Sequence, residues 1–158
     1  MNTYLLDTNI LVGIIRGSEY AAYTVKKFDL FNPQNISLIS IVTRAEIYSF
    51  AIKRNWGSNK IQIMNEIINK IPSINIDSIQ LIEAFAQIDS FNLGKHPTKK
   101  LTQGMSARNI QDNDIWIAAT ANVLNATLLS TDKHFEHLDN VFIDFVYIDQ
   151  NLKENDAI

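Results

Sequence analysis

The sequence predicts an α/β fold, a three-layer α/β/α sandwich built on a short, mostly parallel central sheet. Two observations lead to this prediction. Short apolar segments alternate along the chain with longer segments of helical spacing, and the apolar segments lack polar alternation, as strands buried on both faces do. A length of 158 residues, with 46% hydrophobic and 20% charged residues, also fits one domain with a substantial core.

Short apolar runs bounded by polar residues are the candidate strands. The first, LLDTNIL, passes from apolar residues into Asp7, and Thr8 or Asn9 is available to cap the apolar segment that follows. The second, ISLIS, follows Pro33 and Asn35. Strands are expected at residues 4–6, 36–40, 74–76, 127–129 and 145–148.

The segments between the strands carry helix signals. Apolar residues at helical spacing begin at Ile41, and the sequence NWGS from Asn55 interrupts them. Pro72 stops the next helix, and Asp77 or Ser78 caps the one after it. Helices are expected at residues 18–30, 41–54, 59–71, 78–91, 115–124 and 133–138.

The polar stretch over residues 92–113 is long for a connection inside one domain, so we expect it to be functional or mobile. Residues 1–150 are expected to form the single domain, and residues 151–158 a frayed C-terminal tail. The net charge of -3 argues against a protein that coats nucleic acid non-specifically, and the absence of cysteine excludes disulfides and thiolate chemistry. Without an apolar run near the length of a membrane span, a cytoplasmic protein is expected.

Acidic residues recur where predicted strands end and predicted helices begin. In parallel α/β sheets these ends share one edge, and ligands bind in the crevice there. Each acid could also be an ordinary helix cap, and the sequence Thr43 to Glu46 fits a capping box. The acids at these junctions are Asp7, Glu46, Asp114 and Asp132.

Together the acids favour a metal site over four separate caps. Crowded carboxylates repel one another unless a cation lies between them, and carboxylates with hydroxyl and amide neighbours suit Mg²⁺ or Mn²⁺. Such a site activates water and neutralises a phosphodiester transition state. The hydroxyl and amide neighbours are Thr8, Asn9, Asn113 and Thr131.

Three segments, LLDTNIL, ISIVTRAEIYSF and NIQDNDIWIAATANVLNATLLSTDKHF, resemble in order and spacing the motifs of PIN-domain ribonucleases, most closely the VapC-type toxins of bacterial toxin–antitoxin pairs. The resemblance implies a PIN fold, Mg²⁺- or Mn²⁺-dependent cleavage of RNA leaving a 5′-phosphate and a 3′-hydroxyl, and a cognate antitoxin. It places a supporting hydroxyl at Thr131. The family's acidic positions fall on Asp7, Glu46, Asp114 and Asp132.

Other polar residues carry weaker expectations. Asp112 either caps the late helix, which we favour, or holds water in an outer shell, and Gln111 stands where the family often has glycine. His134 and His137 are expected at the surface. A homodimer is expected, although Ile14, Ile15, Tyr20 and Tyr23 would equally suit a domain core. The basic residues of the 92–113 stretch that could contact RNA, or else only be solvated, are Lys95, His96, Lys99, Lys100 and Arg108.

Two alternatives compete with the ribonuclease interpretation. A PIN-like binding module without catalysis would be expected to lose one or more acids, and all are present here. A haloacid-dehalogenase-type phosphatase also has Asp after its first strand, but it needs a second Asp two residues later, where this chain has Asn9.

Overall fold

Parallel strands form the central sheet in the computed structural model, which describes residues 1–157. The sheet has five strands in the order β3-β2-β1-β4-β5, and every adjacent pair is parallel. This confirms the predicted α/β class. The strands are β1 Thr3–Leu6, β2 Ile36–Ser40, β3 Ser73–Ile74, β4 Thr127–Ser130 and β5 Asp144–Tyr147.

Helices connect the strands and cover both faces of the sheet. They are α1 Thr8–Arg16, α2 Glu19–Phe28, α3 Ile41–Lys53, α4 Ser58–Lys70, α5 Ile79–Asn92 and α6 Asp112–Leu124. Two 3₁₀ turns follow, at Lys133–Leu138 and Glu154–Asp156. Among the described residues, no helix is both long and apolar enough to cross a membrane.

Neighbouring residues of each central strand enter different cores, because successive strand side chains point to opposite faces. Leu5 and Leu128 pack in one core with α5 and α6. Leu6 and Leu129 pack in the other with α1, α3 and α4. Ile15 belongs to this second core, so that part of the apolar face proposed for dimerisation is internal. The two cores confirm the three predicted layers.

Expected caps at two helices are corrected by the structure. The cap of α1 is Asp7 itself, which accepts a hydrogen bond from its neighbour Thr8 N, rather than Thr8 or Asn9. The cap of α6 is Gln111, so Asp112 is the first residue of the helix instead of its cap. In both cases the chain becomes helical one or more residues earlier than the local pattern indicated.

The capping box considered as an alternative role for Glu46 is absent from α3. Ser40 caps this helix by accepting a hydrogen bond from Val42 N at 3.2 Å, so the helix starts before Thr43. The Thr43 hydroxyl is buried without a partner. Glu46 therefore lies in the second turn of α3, and its side chain is free to contact other elements.

Residues 151–157 pack against the domain, in contrast to the expected frayed tail over residues 151–158, whose last residue lies outside the described part of the chain. Leu152 contacts the core formed with α1, α3 and α4. The backbone N–H of Glu154 donates to Glu19 Oε2 at 3.4 Å, which places the last 3₁₀ turn beside the start of α2. Burial of Leu152 supplies the apolar contact that keeps this short segment in place.

His96 fastens the long connection between α5 and α6 to the domain. Its ring is 9% exposed, and Nε2 donates to Gln87 Oε1 of α5 at 2.5 Å. Nδ1 accepts the backbone N–H groups of Thr98 at 3.2 Å and Lys99 at 2.9 Å. The imidazole thus closes a turn in the connection, and His96 is a structural residue of the described chain.

Candidate active site

Four acidic side chains line one cavity of about 950 Å³ at the carboxyl edge of the sheet. Asp7 follows β1 and Asp132 follows β4, which are neighbouring strands whose connections leave in opposite directions. This is the topological switch point where α/β sheets open a crevice. Asp114, at the start of α6, and Glu46, on α3, face the same cavity. The four residues that the sequence placed at one edge of the sheet therefore line the same cavity.

Asp7 is buried at the floor of the cavity, with 3% of its surface exposed. Its carboxylate accepts hydrogen bonds from Ser130 Oγ at 2.5 Å and from Thr8 N at 2.7 Å. Burial raises the pKa of Asp7 to about 7, with smaller like-charge contributions from Asp114 and Glu46, and together these exceed the opposing effect of the two hydrogen bonds. The charged form of Asp7 is consequently costly unless a cation offsets its charge.

The charged form of Asp114 is also disfavoured, by burial and by repulsion from Asp132. Burial raises the pKa of Asp114 to about 6, and the negative charges of Asp132 and Glu46 add to the effect. Asp132 caps the 3₁₀ turn by accepting His134 N at 2.8 Å, as expected from sequence. The same carboxylate lies 3.3 Å from His134 Nδ1, and His134 is exposed at the cavity wall, as predicted.

Glu46 is held by two neighbours from other elements. Thr8 Oγ1, at the start of α1, donates to Glu46 Oε2. Asn113 Nδ2, at the start of α6, donates to Glu46 Oε1 at 2.8 Å. These bonds orient the Glu46 side chain toward the cavity instead of back along α3.

Ser130 supports the acids in a way that sequence reasoning missed. Its buried hydroxyl donates to Asp7 Oδ2 and accepts the backbone N–H of Asp132 at 2.9 Å, joining two of the acids. The expected supporting residue, Thr131, instead accepts from Gln150 Nε2 at 3.3 Å. The available signal was that Ser130 ends an otherwise apolar strand, where a buried hydroxyl needs a partner.

Asn9 and Asp112 have peripheral positions. Asn9 lines the cavity with its side chain exposed, and its backbone carbonyl accepts from Tyr20 Oη at 3.0 Å. Asp112 is exposed in the first turn of α6 and does not line the cavity.

Of the basic residues expected to contact RNA, Arg108 alone lines the cavity. Lys99 Nζ donates to Val141 O at 2.9 Å and lies 4.9 Å from the centre of the Phe142 ring. Lys95 and Lys100 are exposed elsewhere on the connection. The cavity contains a basic residue that sequence reasoning did not select, Lys53 at the end of α3.

The expectation that His137 is a surface residue is wrong. The ring is buried, stacks on Phe91 at a centroid distance of 6.2 Å, and lies with Nε2 2.7 Å from Asn92 Oδ1. Burial lowers the pKa of His137, and the nearby charge of Arg108 lowers it further. The side chain is directed inward with Phe135 and Leu138 because it packs against Phe91 and Asn92 of α5, a tertiary contact that the local sequence pattern does not reveal.

The chemistry of these side chains fits a hard divalent cation. The acids offer oxygen ligands only, and a cation would offset the burial and repulsion that raise the pKa values of Asp7 and Asp114. Within residues 1–157, no group of three or more His, Asp or Glu side chains already surrounds a common point at which an ion could be held. A cation held here by one or two of the carboxylates would keep water as its other ligands, as Mg²⁺ commonly does in proteins.

The fold and this acidic edge together define a class of protein. The PIN domain family model matches residues 4–141, and the chain belongs to that family. This confirms the family that the three sequence motifs indicated. No curated protein sequence matches the chain.

Several solved structures have a fold similar to that of this chain. A chain of VapBC2 from Rickettsia felis, bound to a DNA fragment from their promoter, has a TM-score of 0.69 and 21% identity, covering 91% of this chain and 98% of that one. VapBC-1 from nontypeable Haemophilus influenzae has a TM-score of 0.69 and 22% sequence identity, and the match covers 92% of this chain and 97% of that one. DNA-bound VapBC from Salmonella typhimurium has a TM-score of 0.69 and 19% sequence identity, and the match covers 93% of this chain and 98% of that one. The chain is similar in fold to these proteins over nearly its whole length.

Proposed function

We propose that this chain is a metal-dependent endoribonuclease and the toxin component of a toxin–antitoxin pair. The observation that carries the proposal is the convergence of four acids on one cavity at the sheet's switch point, in a chain of the PIN domain family. Neither a nucleophilic cysteine nor a serine–histidine pair competes for the role. The chain has no cysteine, and within residues 1–157 none of its three histidines hydrogen-bonds to a serine hydroxyl.

The residues proposed to hold Mg²⁺ or Mn²⁺ are Asp7, Glu46, Asp114 and Asp132. With a divalent cation bound, these residues would gain the positive charge needed to activate water and to stabilise the phosphodiester transition state. The chain supplies the positioning. Ser130 Oγ and Thr8 N stabilise the charged form of Asp7, which burial would otherwise keep protonated near neutral pH.

Other contacts orient the remaining groups around the phosphodiester. Thr8 and Asn113 fix Glu46, while the exposed Asn9 amide lies at the mouth of the cavity. Arg108 lies in the same cavity and is proposed to bind a substrate phosphate by charge-assisted hydrogen bonds. No side-chain nucleophile is needed, because water would attack the phosphorus. The resemblance to PIN-domain ribonucleases implies that the bond from phosphorus to the 3′ oxygen breaks and that this oxygen takes up a proton, which leaves a 5′-phosphate and a 3′-hydroxyl.

The proposed partners are an RNA substrate, a cognate antitoxin and a second copy of the chain. The similar structures are VapBC complexes, two of them bound to DNA, which supports an antitoxin partner. A small DNA-binding-type protein encoded beside this chain is the expected antitoxin. Because the proposed substrate is cellular RNA, we place the activity in the cytoplasm. We assign it to a single domain over residues 1–150, against which residues 151–157 pack.

Cleavage of total bacterial RNA by the purified chain tests the nuclease proposal. We expect fragments with 5′-phosphate ends in the presence of Mg²⁺ or Mn²⁺ and none in EDTA. Asp114→Asn should reduce cleavage by orders of magnitude, because it removes one acid from the cavity. The matched control is Asp77→Asn, which removes an exposed carboxylate outside the cavity and should cleave like the parent chain.

Two results would overturn the proposal. Cleavage that survives EDTA, or an Asp114→Asn variant as active as the parent, would exclude metal chemistry at this cavity. RNA binding without cleavage under any metal would instead identify the PIN-like binding module considered from the sequence.

A further inference from the structure

A basic strip lies beside the acidic cavity, composed of Arg16, Lys53 and Arg54 around the half-buried ring of Phe50. Arg16 Cζ, at the end of α1, lies 5.3 Å from the centre of the Phe50 ring. Arg54 Cζ, directly after α3, lies at the same distance of 5.3 Å. Phe50 and Lys53 also line the cavity that contains the four acids. The strip is therefore continuous with the candidate active site.

The strip's positive charges are not neutralised by the protein. Arg16, Lys53 and Arg54 are exposed, and none of them takes part in a salt bridge within residues 1–157. Contact with the aromatic ring limits the freedom of the two guanidinium groups without reducing their charge. The result is a pre-positioned cationic surface on a chain whose net charge is -3.

We propose that this strip binds the phosphates of the RNA strand on one side of the cleavage point. The inference rests on the proposed ribonuclease function, because the strip adjoins that active site. Phosphates are the recurring anionic groups of a nucleic acid, and guanidinium groups bind them with directed hydrogen bonds. Arg108 lies in the same cavity on the α5–α6 connection, so an RNA strand would meet cations from two different elements of the chain.

An acidic protein segment is a less suitable occupant of the same surface. The four acids of the cavity repel peptide carboxylates and RNA phosphates alike, but a peptide carboxylate offers no group on which the proposed active site could act. An RNA strand instead presents the phosphodiester on which the proposed metal site acts. In this arrangement the strip binds the phosphates on one side of the cleaved phosphodiester, and the acidic cavity receives the cleaved phosphodiester itself.

The test measures RNA affinity across a salt series. The chain carries Asp114→Asn to prevent turnover, and the probe is a fluorescein-labelled single-stranded RNA of about 12 nucleotides, which spans several phosphates. Arg16→Gln with Arg54→Gln should flatten the slope of log K against log salt by about 1.4, since each lost single-strand contact contributes about 0.7. At about 0.1 M salt the affinity should fall about 25-fold by the same relation.

Two matched variants control for charge and folding. Lys26→Gln with Lys70→Gln removes two exposed charges outside the cavity and should leave the salt slope unchanged. Arg16→Lys with Arg54→Lys keeps the charges and should retain most of the slope. Thermal melts and Mn²⁺ binding followed by electron paramagnetic resonance should be the same in all these variants, because they share the same set of acids.

An unchanged salt slope in the glutamine variant would show that Arg16 and Arg54 do not contact RNA phosphates. If the same variant with Asp114 intact still cleaves RNA in the presence of metal, the nuclease proposal is unaffected. A flattened slope in a chain that never cleaves RNA would support the strip and overturn the nuclease. If the glutamine variant binds RNA normally but no longer binds the small protein encoded beside this chain, the strip is a protein-binding surface and the RNA assignment is wrong.

Discussion

At Asp7, burial opposes the charged form of the carboxylate while two hydrogen bonds favour it. Asp7 caps α1 and accepts the Ser130 hydroxyl, so its position is fixed by both local and distant contacts. Its near-complete burial still raises its pKa to about 7. A residue that served only as a helix cap would gain nothing from such burial, since exposed caps make the same hydrogen bond to the backbone.

The first prediction concerns the pH dependence of stability in the presence of a chelator. Folding raises the pKa of Asp7 from its ordinary value of 3.8 to about 7, so the folded chain binds more protons between those values. Its contribution to stability is present below about pH 4 and is lost as pH rises toward 7, on the order of 1.4 kcal/mol per pH unit. In chelator-containing melts, Asp7→Asn should make the stability fall less between about pH 5 and pH 7, and the raised pKa of Asp114 should account for the fall that remains.

Asp77→Asn provides the control, because Asp77 is exposed and its removal should preserve the slope. Asp7→Asn should also abolish most RNA cleavage while the fold survives, since size and hydrogen-bonding capacity are kept. A parent chain whose stability rises over the same pH interval in chelator, or cleavage unaffected by Asp7→Asn at saturating metal, would contradict the assigned role.

The second prediction compares Ser130 with Thr131. Ser130→Ala removes the hydrogen bond that favours the charged form of Asp7, so the pKa of Asp7 should rise further. Mg²⁺ affinity at neutral pH should fall several-fold and recover as pH increases. Thr131→Val should leave it unchanged, because the Thr131 hydroxyl contacts Gln150 instead. Isothermal titration with Mg²⁺ at a series of pH values around neutrality distinguishes the two residues, and a larger effect of Thr131→Val would favour the sequence-based expectation.

At the scale of elements, the connection between α5 and α6 is shaped by a few specific contacts. His96 ties it to α5, Lys99 reaches Val141, and Arg108 N donates to Asn92 O at 2.8 Å. These contacts bring its end to the cavity while most of its side chains stay exposed. A long connection without regular structure is thus held in a defined path by polar contacts instead of by an apolar core.

The third prediction tests that path. His96→Ala leaves the N–H groups of Thr98 and Lys99 without their acceptor and should destabilise the chain by about 1–2 kcal/mol. Amide hydrogen exchange at these two residues should become faster, as expected for a locally opened segment. Lys100→Ala, which removes an exposed side chain from the same connection, should change neither stability nor exchange. Equal exchange in the parent and His96→Ala would show that the imidazole does not hold the connection.

At the scale of the whole molecule, the sheet order gathers acids from distant parts of the chain. Four acids from four segments converge on one edge, and their burial and mutual repulsion raise the pKa values of Asp7 and Asp114. Folding without a cation therefore carries an electrostatic cost at neutral pH, and a cation that binds only the folded chain should offset it.

The fourth prediction is a metal-dependent gain in stability. Mg²⁺ at about 100 times its dissociation constant should stabilise the folded chain by about 2.7 kcal/mol. For a domain of this size that corresponds to a rise in melting temperature of roughly 5–10 °C. Asp114→Asn should reduce the rise and Asp77→Asn should not, in melts slightly above neutral pH. Equal responses of the parent and Asp114→Asn would place any bound ion away from the cavity.

The sequence by itself determined the fold class, the family and the convergence of the acids. Strands and helices follow from local apolar patterns, and the positions of Asp7 and Asp132 at strand ends assign them to one edge through the parallel topology alone. The motifs around them were sufficient to indicate the PIN domain family.

Only the tertiary structure decided which neighbours serve the acids. Ser130 meets Asp7 across 123 residues of sequence, and Asn113 meets Glu46 across 67. Arg16 and Arg54 share one aromatic ring although they come from different helical segments. Such contacts depend on how elements pack against one another, and side-chain packing between distant segments leaves no local periodicity in the sequence. The acids were therefore predictable from their places in the chain, while Ser130 and the basic strip required the folded structure.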